Sequence, residues 1–337
     1  MKTELLSDRS IADIEKAACY IKNGGLCVFA TETVYGLGAN ALDGEAVKKI
    51  FEAKGRPQDN PLIVHLASAD VADKYAHVTP LFNKIAAAFM PGPITVILSK
   101  KDVISEVVTC GLDSVGIRVP LYDKARELIR VSGVPIAAPS ANISGRPSPT
   151  RAEHVIEDMN GRVDCILLGE DCRIGVESTV VKLTGDDSLV ICRPGGITKE
   201  MLEGVCGDVS VDPAVLSKFD GKPISPGMKY RHYAPKASVT VLVGSEERIV
   251  EFLNDKTDFA ILCYDEDKKL LQYKNALSLG SENDLSEQAS SLFTRLRQFD
   301  KIEGISNIYA RMPHKAGVGL AVYNRLVKAA GFDIVEL

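Results

Sequence analysis

The sequence predicts an α/β protein in two units: a larger one built on a mixed sheet, and a smaller α/β unit after it. Three observations carry this. Helical periodicity and short apolar runs alternate along nearly the whole chain. Several apolar runs follow one another too closely for pure βαβ repetition, which points to a mixed sheet. At 337 residues the chain exceeds what one core usually supports, and the periodicity fades between about residues 206 and 236 before it resumes.

Taken in order, Ser10 followed by IADIEKAACYIKNGG reads as a capped amphipathic helix closing at Gly24 and Gly25. The apolar run LCVFA reads as a buried strand, and TETVYGLGANA as the loop after it. Residues 45–54 return to helical spacing, with Val47, Ile50 and Phe51 on one face, and LIVHL is the next strand. Then come the helix TPLFNKIAAAFM, the strands PITVILS and VGIRVP, the helix YDKARELIRVSG and the strand VPIAAPS. The helix RAEHVIEDM and the strands CILLG, STVVKL and LVICRPGG complete the larger unit. DPAVLSKFDGKPISPGMKYRHYAPKA, rich in Pro, Gly and polar residues, reads as a linker. Beyond it, SVTVLVG, a helix near 246–253, FAILCY, a helix near 285–299, ISNIYAR and the helix GLAVYNRLVKAAG form the smaller unit.

The composition is 45% hydrophobic and 25% charged, the balance of an ordinary globular protein. A net charge of -5 argues against a surface that holds nucleic acid by overall basicity, although a local basic cleft remains compatible with it. The eight cysteines include no CxxC pair and no tight Cys/His cluster, which argues against a zinc site or a secreted disulfide framework and for buried thiols. MKTELLSDRS has no apolar signal core and no stretch reaches the length of a membrane span, so the cytosol is the expected compartment.

Chemistry-bearing residues gather in three places. In FEAKGRPQDNPLIVHL, Lys54 continues the stripe of Val47, Ile50 and Phe51, so its ammonium is expected to face the domain. Arg56 follows the capping Gly55, Pro57 and Pro61 stiffen the loop, and Asn60 adds an amide. His65 lies on the strand face shared with Ile63; beside Lys and Arg it is expected to favour an anion. The simpler reading is two cations offsetting a helix dipole and a histidine packed in the core. The second place is TETVYGLGANA, whose Gly36 and Gly38 suit close approach to a ligand, although neither a Walker pattern nor a full GxGxxG is present. The third is APSANISGRPSPT after the strand VPIAA, where Ser140, Asn142, Ser144 and Ser148 stand at the usual ligand side of an α/β sheet. Arg118 in GIRVP opposes the apolar face of Val115, Ile117 and Val119, and Arg193 and Ser178 are comparable insertions at strand ends. No GxSxG or Ser-His-Asp pattern occurs. The sum is a cleft for binding anions.

These motifs, with PGPITVIL, ESTVV, RPGG and SPGMKYRHYAP in the same order, resemble the YrdC-type threonylcarbamoyl-AMP synthases in their long form. The Lys54/Arg56 pair and the Ser140/Asn142 pair match the KxR and SxN hallmarks of that family. The resemblance implies a twisted mixed-sheet YrdC-like catalytic domain over 1–206, a linker over 207–236 that closes on the active site, and a smaller Rossmann-like domain over 237–337. It implies that L-threonine, bicarbonate and ATP, with Mg2+, give threonylcarbamoyl-adenylate, pyrophosphate and water. The product would serve the tRNA threonylcarbamoyl transferase proteins that modify the adenosine beside the anticodon of ANN-decoding tRNAs, and direct tRNA contact is left open.

By the same resemblance Thr33, His65, Arg118, Ala138 and Ser178 line the threonine pocket. Lys54, Arg56, Asn60, Ser114, Ser140, Asn142, Ser148 and Arg193 bind the nucleotide, with Tyr230, Arg231 and His232 closing over it. Lys54 and Arg56 are the expected catalytic pair. Ala138 and Ser114 stand where relatives carry threonine; the first offers only its backbone, and the second keeps the hydroxyl. Two alternatives are an RNA-binding module without chemistry and a carbamoyl transferase of the hydrogenase-maturation type. The latter carries paired-cysteine zinc modules that this sequence lacks.

Overall fold

The protein's structure, a computed structural model, describes residues 2–217, 232–269 and 275–337. It divides into two compact units, one of residues 1–144 and 148–229 and one of residues 145–147 and 230–337.

The first unit opens with strand Glu4–Ser7 (β1), helix Ile11–Lys22 (α1) and strands Cys27–Phe29 (β2) and Gly36–Asn40 (β3). Helix Gly44–Lys54 (α2), strand Ile63–His65 (β4), helix Pro80–Phe89 (α3) and strand Ile94–Ser99 (β5) follow. Next come helix Glu106–Thr109 (α4), strand Ser114–Arg118 (β6), helix Asp123–Ser132 (α5), strand Ile136–Ala138 (β7) and helix Ala152–Met159 (α6). Strands Cys165–Leu168 (β8), Thr179–Leu183 (β9) and Ser188–Arg193 (β10), helix Lys199–Glu203 (α7) and strand Asp208–Val211 (β11) close the unit. The strands form one sheet in the order β1-β8-β2-β3-β7-β4-β6-β5-β9-β10-β11. It is mixed: β4 runs parallel to β6 and antiparallel to β7, and β5 runs antiparallel to β6 and parallel to β9.

Local chemistry sets the helix ends that matter for the site. The Asp43 side chain accepts from the backbone N–H of Glu45 and Ala46, capping α2, and Gly55 closes it in the left-handed conformation at φ 61°. The stripe of Val47, Ile50 and Phe51 is buried in the main core, as the helical spacing predicts. Ser10 caps α1 in the same way, through Asp13 N.

Two segments depart from the sequence reading. TETVYGLGANA contains β3 rather than being loop throughout: Gly36–Asn40 pairs antiparallel with β2 and β7. Its glycines serve packing. A Cβ at Gly38 would lie 2.7 Å from Ile136 Cγ2 and 2.8 Å from Phe29 Cε1, so neighbouring side chains occupy the space left for a ligand. The stretch read as linker begins with ordered chain, β11 paired parallel to β10 and a single turn at Pro213–Val215 capped by Asp212.

The second unit carries strand Ser238–Val243 (β12), helix Glu246–Leu253 (α8), strands Phe259–Cys263 (β13) and Ala276–Ser278 (β14), and helix Leu285–Phe299 (α9). Strand Asn307–Arg311 (β15), helix Gly319–Ala329 (α10) and strand Ile334–Glu336 (β16) complete it. Its sheet runs β14-β13-β15-β12-β16 with every pairing parallel. Within this unit Arg297 Nη2 donates to Pro147 O at 2.7 Å. Six of the eight cysteines are buried thiols, Cys19 and Cys110 being the others. Among the described residues no helix is long and apolar enough to cross a membrane.

Candidate active site

Strands β7, β4, β6, β5 and β9 lie side by side and alternate their side chains between two faces. One face sends Val64, Val96, Val115, Ile117 and Val181 into the main core. The other carries Ile63, Ile97, Val180 and Cys192 as a small apolar floor, with polar groups along its edge. Register places those groups: His65 pairs with Arg118 across β4 and β6, Ile63 with Ala138 across β4 and β7, and Thr95 with Val180 across β5 and β9. Gly116 keeps this face open, because a Cβ there would sit 2.9 Å from Thr95 Cγ2. Thr95 Oγ1 lies 2.8 Å from Ser178 Oγ, and Arg193 grips the same residue through Nε to Ser178 O and Nη2 to Ser178 Oγ, both at 3.1 Å.

At the end of β6, Arg118 is buried and sends one nitrogen to two acceptors. Its Nη2 donates to Glu32 Oε1 at 2.7 Å and to Thr33 Oγ1 at 2.9 Å. The loop that presents these acceptors is locked by Thr31, whose hydroxyl accepts from Thr33 N and Val34 N and donates to Val34 O. Thr31 and Glu32 also line a cavity of about 360 Å³ together with Asp8, Tyr122, Glu170 and Arg173. His65 stands edge-on to the Phe29 ring with its Nδ1 3.2 Å from Ile63 O. Burial, with Arg118 beside it, pushes the imidazole down to about 3. His65 is therefore neutral at physiological pH, because a second positive charge beside the Arg118 guanidinium in the same dry site is disfavoured.

Lys54 fares as its spacing predicts: the side chain is buried and faces the domain. Its Nζ donates to the backbone carbonyls of Ser140 and Asn142, and Ser144 N donates back to Lys54 O at 2.9 Å. The end of α2 and the SxN loop are thus one hydrogen-bonded unit. On that loop Ser140 Oγ donates to Asn142 Oδ1 at 2.6 Å, and Asn142 Nδ2 donates to Ile143 O. Ser148 Oγ donates to the buried Glu177 Oε1 at 2.6 Å. Arg56 lies with its guanidinium carbon 5.8 Å from the Phe51 ring centroid and donates from Nη2 to Asn60 O at 2.8 Å. Ser114 starts β6 and borders a small void with Thr95 and Gly116.

With this geometry in hand, the comparisons with known proteins decide the family. Residues 19–195 match the Sua5/YciO/YrdC family model, described as Telomere recombination. Residues 197–331 match the model described as Threonylcarbamoyl-AMP synthase, C-terminal domain. A threonylcarbamoyl-AMP synthase of Pyrococcus abyssi is 45% identical over 96% of each chain. The chain belongs to the threonylcarbamoyl-AMP synthase family. Its members are enzymes of nucleotidyltransferase type. A second relative of that name, from Bacillus subtilis, is 46% identical over 96% of this chain and 94% of its own. The crystal structure of P. abyssi Sua5 complexed with L-threonine superposes with a TM-score of 0.90 at 44% identity, covering both chains entirely.

The fold brings Thr33, His65, Arg118, Ala138 and Ser178 to one sheet face, and it joins Lys54 to Ser140 and Asn142. Arg193 reaches the first group through Ser178. His232 belongs to the second unit, where its ring lies 5.6 Å from that of Tyr233. Tyr230 and Arg231 lie outside the described residues. Two buried carboxylates, Glu32 and Glu177, stand beside the expected threonine-pocket residues without having been assigned to the site. Each is adjacent in sequence to an expected threonine-pocket residue, in TET and in ES, which was the signal available.

Proposed function

We propose that the protein is a threonylcarbamoyl-AMP synthase that converts L-threonine, bicarbonate and ATP into L-threonylcarbamoyladenylate, pyrophosphate and water. The product would feed the threonylcarbamoyl modification of adenosine beside the anticodon in ANN-decoding tRNAs. The observation that carries this reading is the grouping of Thr33, Arg118 and Ser178 on the sheet face of a chain 44% identical to a Sua5 that is complexed with L-threonine.

In this reading Arg118 is the cation for the threonine carboxylate, and neutral His65, Ala138, Ser178 and Thr33 shape the rest of the pocket. Threonine's amine and bicarbonate form a carbamate with loss of water. A carbamate oxygen then attacks the α-phosphorus of ATP, the bond to the β-phosphate oxygen breaks, and pyrophosphate leaves. No covalent enzyme intermediate is required, so the chain's contribution is positioning and charge. Lys54, Arg56, Asn60, Ser114, Ser140, Asn142, Ser148 and Arg193 are the nucleotide-binding set. Lys54 orients the SxN loop through the carbonyls of Ser140 and Asn142. Mg2+ would enter bound to the ATP phosphates. Among the described residues no cluster of three His, Cys, Asp or Glu is arranged to hold a metal ion.

The test is pyrophosphate release from the purified protein with Mg-ATP, adding threonine and bicarbonate singly and together. Release that requires both substrates supports the proposal. Folded protein that releases none under any combination overturns it and favours an RNA-binding module, whose affinity would fall steeply with salt.

A further inference from the structure

The mechanism above leaves one buried ionisable group at the threonine pocket without a task. Glu32 is buried, and its Oε1 accepts from Arg118 Nη2 at 2.7 Å. Its Oε2 is also buried and receives no hydrogen bond among the described residues, and Arg118 Nε, also buried, donates none. A buried carboxylate oxygen left without a donor is strongly unfavourable, and so is a buried guanidinium N–H without an acceptor. The two orphans are complementary in kind to an amino-acid zwitterion. Arg118 Nε lacks an acceptor, which a carboxylate supplies; Glu32 Oε2 lacks a donor, which an ammonium supplies. Both belong to one ion pair and flank Thr33, whose hydroxyl already accepts from Arg118 at 2.9 Å.

We propose that Glu32 receives the α-ammonium of the substrate and is the residue by which the pocket selects an amino acid over a hydroxy acid of the same shape. The inference rests on the reading of this pocket as the threonine site. The backbone around Glu32 is prepared for such a task. Thr31 ties down both sides of the turn through Thr33 N, Val34 N and Val34 O, and Ile174 N donates to Glu32 O at 2.9 Å. Arg118 in turn fixes one carboxylate oxygen, so the other points in one direction before substrate arrives. A carboxylate held this way discriminates sharply against a ligand lacking the amine, because that ligand leaves Oε2 desolvated and unpaired.

The experiment is calorimetric titration of the full chain with L-threonine and with (R)-3-hydroxybutyrate, which is threonine without its amine. Wild type is expected to bind threonine more tightly by about 10- to 100-fold, the loss typical of a charge-assisted hydrogen bond. Glu32→Gln, which keeps shape and can still accept from Arg118, should weaken threonine by that factor and leave the hydroxy acid nearly unchanged. A merely structural Glu32 would weaken both ligands alike, and that outcome overturns the proposal. Should Glu32→Gln not fold, Glu32→Asp keeps the charge but withdraws it by one methylene, and undiminished discrimination in that variant is equally fatal. Wild type that binds threonine yet does not prefer it also sinks the role of Glu32 alone. Wild type that binds no threonine sinks the reading of the site itself.

Discussion

Replacing His65 by Gln isolates a pH dependence that burial builds into the sheet. The side chain lies wholly inside the protein, and desolvation first, then the Arg118 charge, lowers its pKa from the ordinary 6.5 to about 3. As pH falls, the unfolded chain takes up this proton first, while the folded chain refuses it until about 3. The stability contributed by neutral His65 is therefore complete above 6.5 and drains away as pH drops toward 3. The slope in that window is at most about 1.4 kcal/mol per pH unit. Between about pH 7.5 and about pH 4.5, wild type should thus lose roughly 2 to 3 kcal/mol more than His65→Gln. Urea unfolding of the full chain at each pH, followed by circular dichroism, gives that difference. The imidazole resonance that disappears in the variant gives the titration directly. Parallel stability curves together with a His65 resonance titrating near 6.5 would refute the reasoning, because they would mean the ring is solvated.

Further substitutions separate chemistry from architecture. Lys54→Ala should abolish pyrophosphate release and also destabilise the chain by about 2 to 4 kcal/mol, since two backbone carbonyls lose a charged donor. A variant of unchanged melting temperature would contradict that. Arg56→Ala, which loses a partly buried side chain bonded to Asn60 O, should lower turnover at least about tenfold with little change in melting temperature. Arg118→Ala should eliminate threonine binding in calorimetry and destabilise by roughly 3 to 5 kcal/mol, because Glu32 is left as an uncompensated buried charge. Gly38→Ala should cost about 1 to 3 kcal/mol from the forced contacts with Ile136 and Phe29, measured by denaturant titration.

The element order of both units could be read along the chain wherever an apolar period was long enough. Helix α2 is the clearest case, since Asp43, the stripe of Val47, Ile50 and Phe51, and Gly55 specify its start, its buried face and its end locally. Short strands carried too little period to be seen: β1, β11, β14 and β16 span three or four residues each and are held by partners remote in sequence. β3 was missed because glycine at 36 and 38 looks like loop, and only the neighbours Phe29 and Ile136 explain it. The candidate site divides the same way. Lys54, Arg56, Ser140, Asn142 and Arg118 were visible as polar insertions at element ends, and the side of α2 on which Lys54 emerges followed from helical spacing alone.

What the sequence alone determined is the family, the α/β class and the set of polar residues available for chemistry, because motifs and periodicities are properties of contiguous residues. What only the tertiary structure decided is the state of those residues. Register across β4 and β6 sets His65 against Arg118 and makes the ring neutral, and the turn at Thr31 aims Glu32 at the same guanidinium. The loop carrying Ser140 and Asn142 delivers two carbonyls to Lys54 from 86 and 88 residues away. Charge state and hydrogen-bond partnership depend on desolvation and on neighbours across the sheet, and neither quantity exists until the strands are paired.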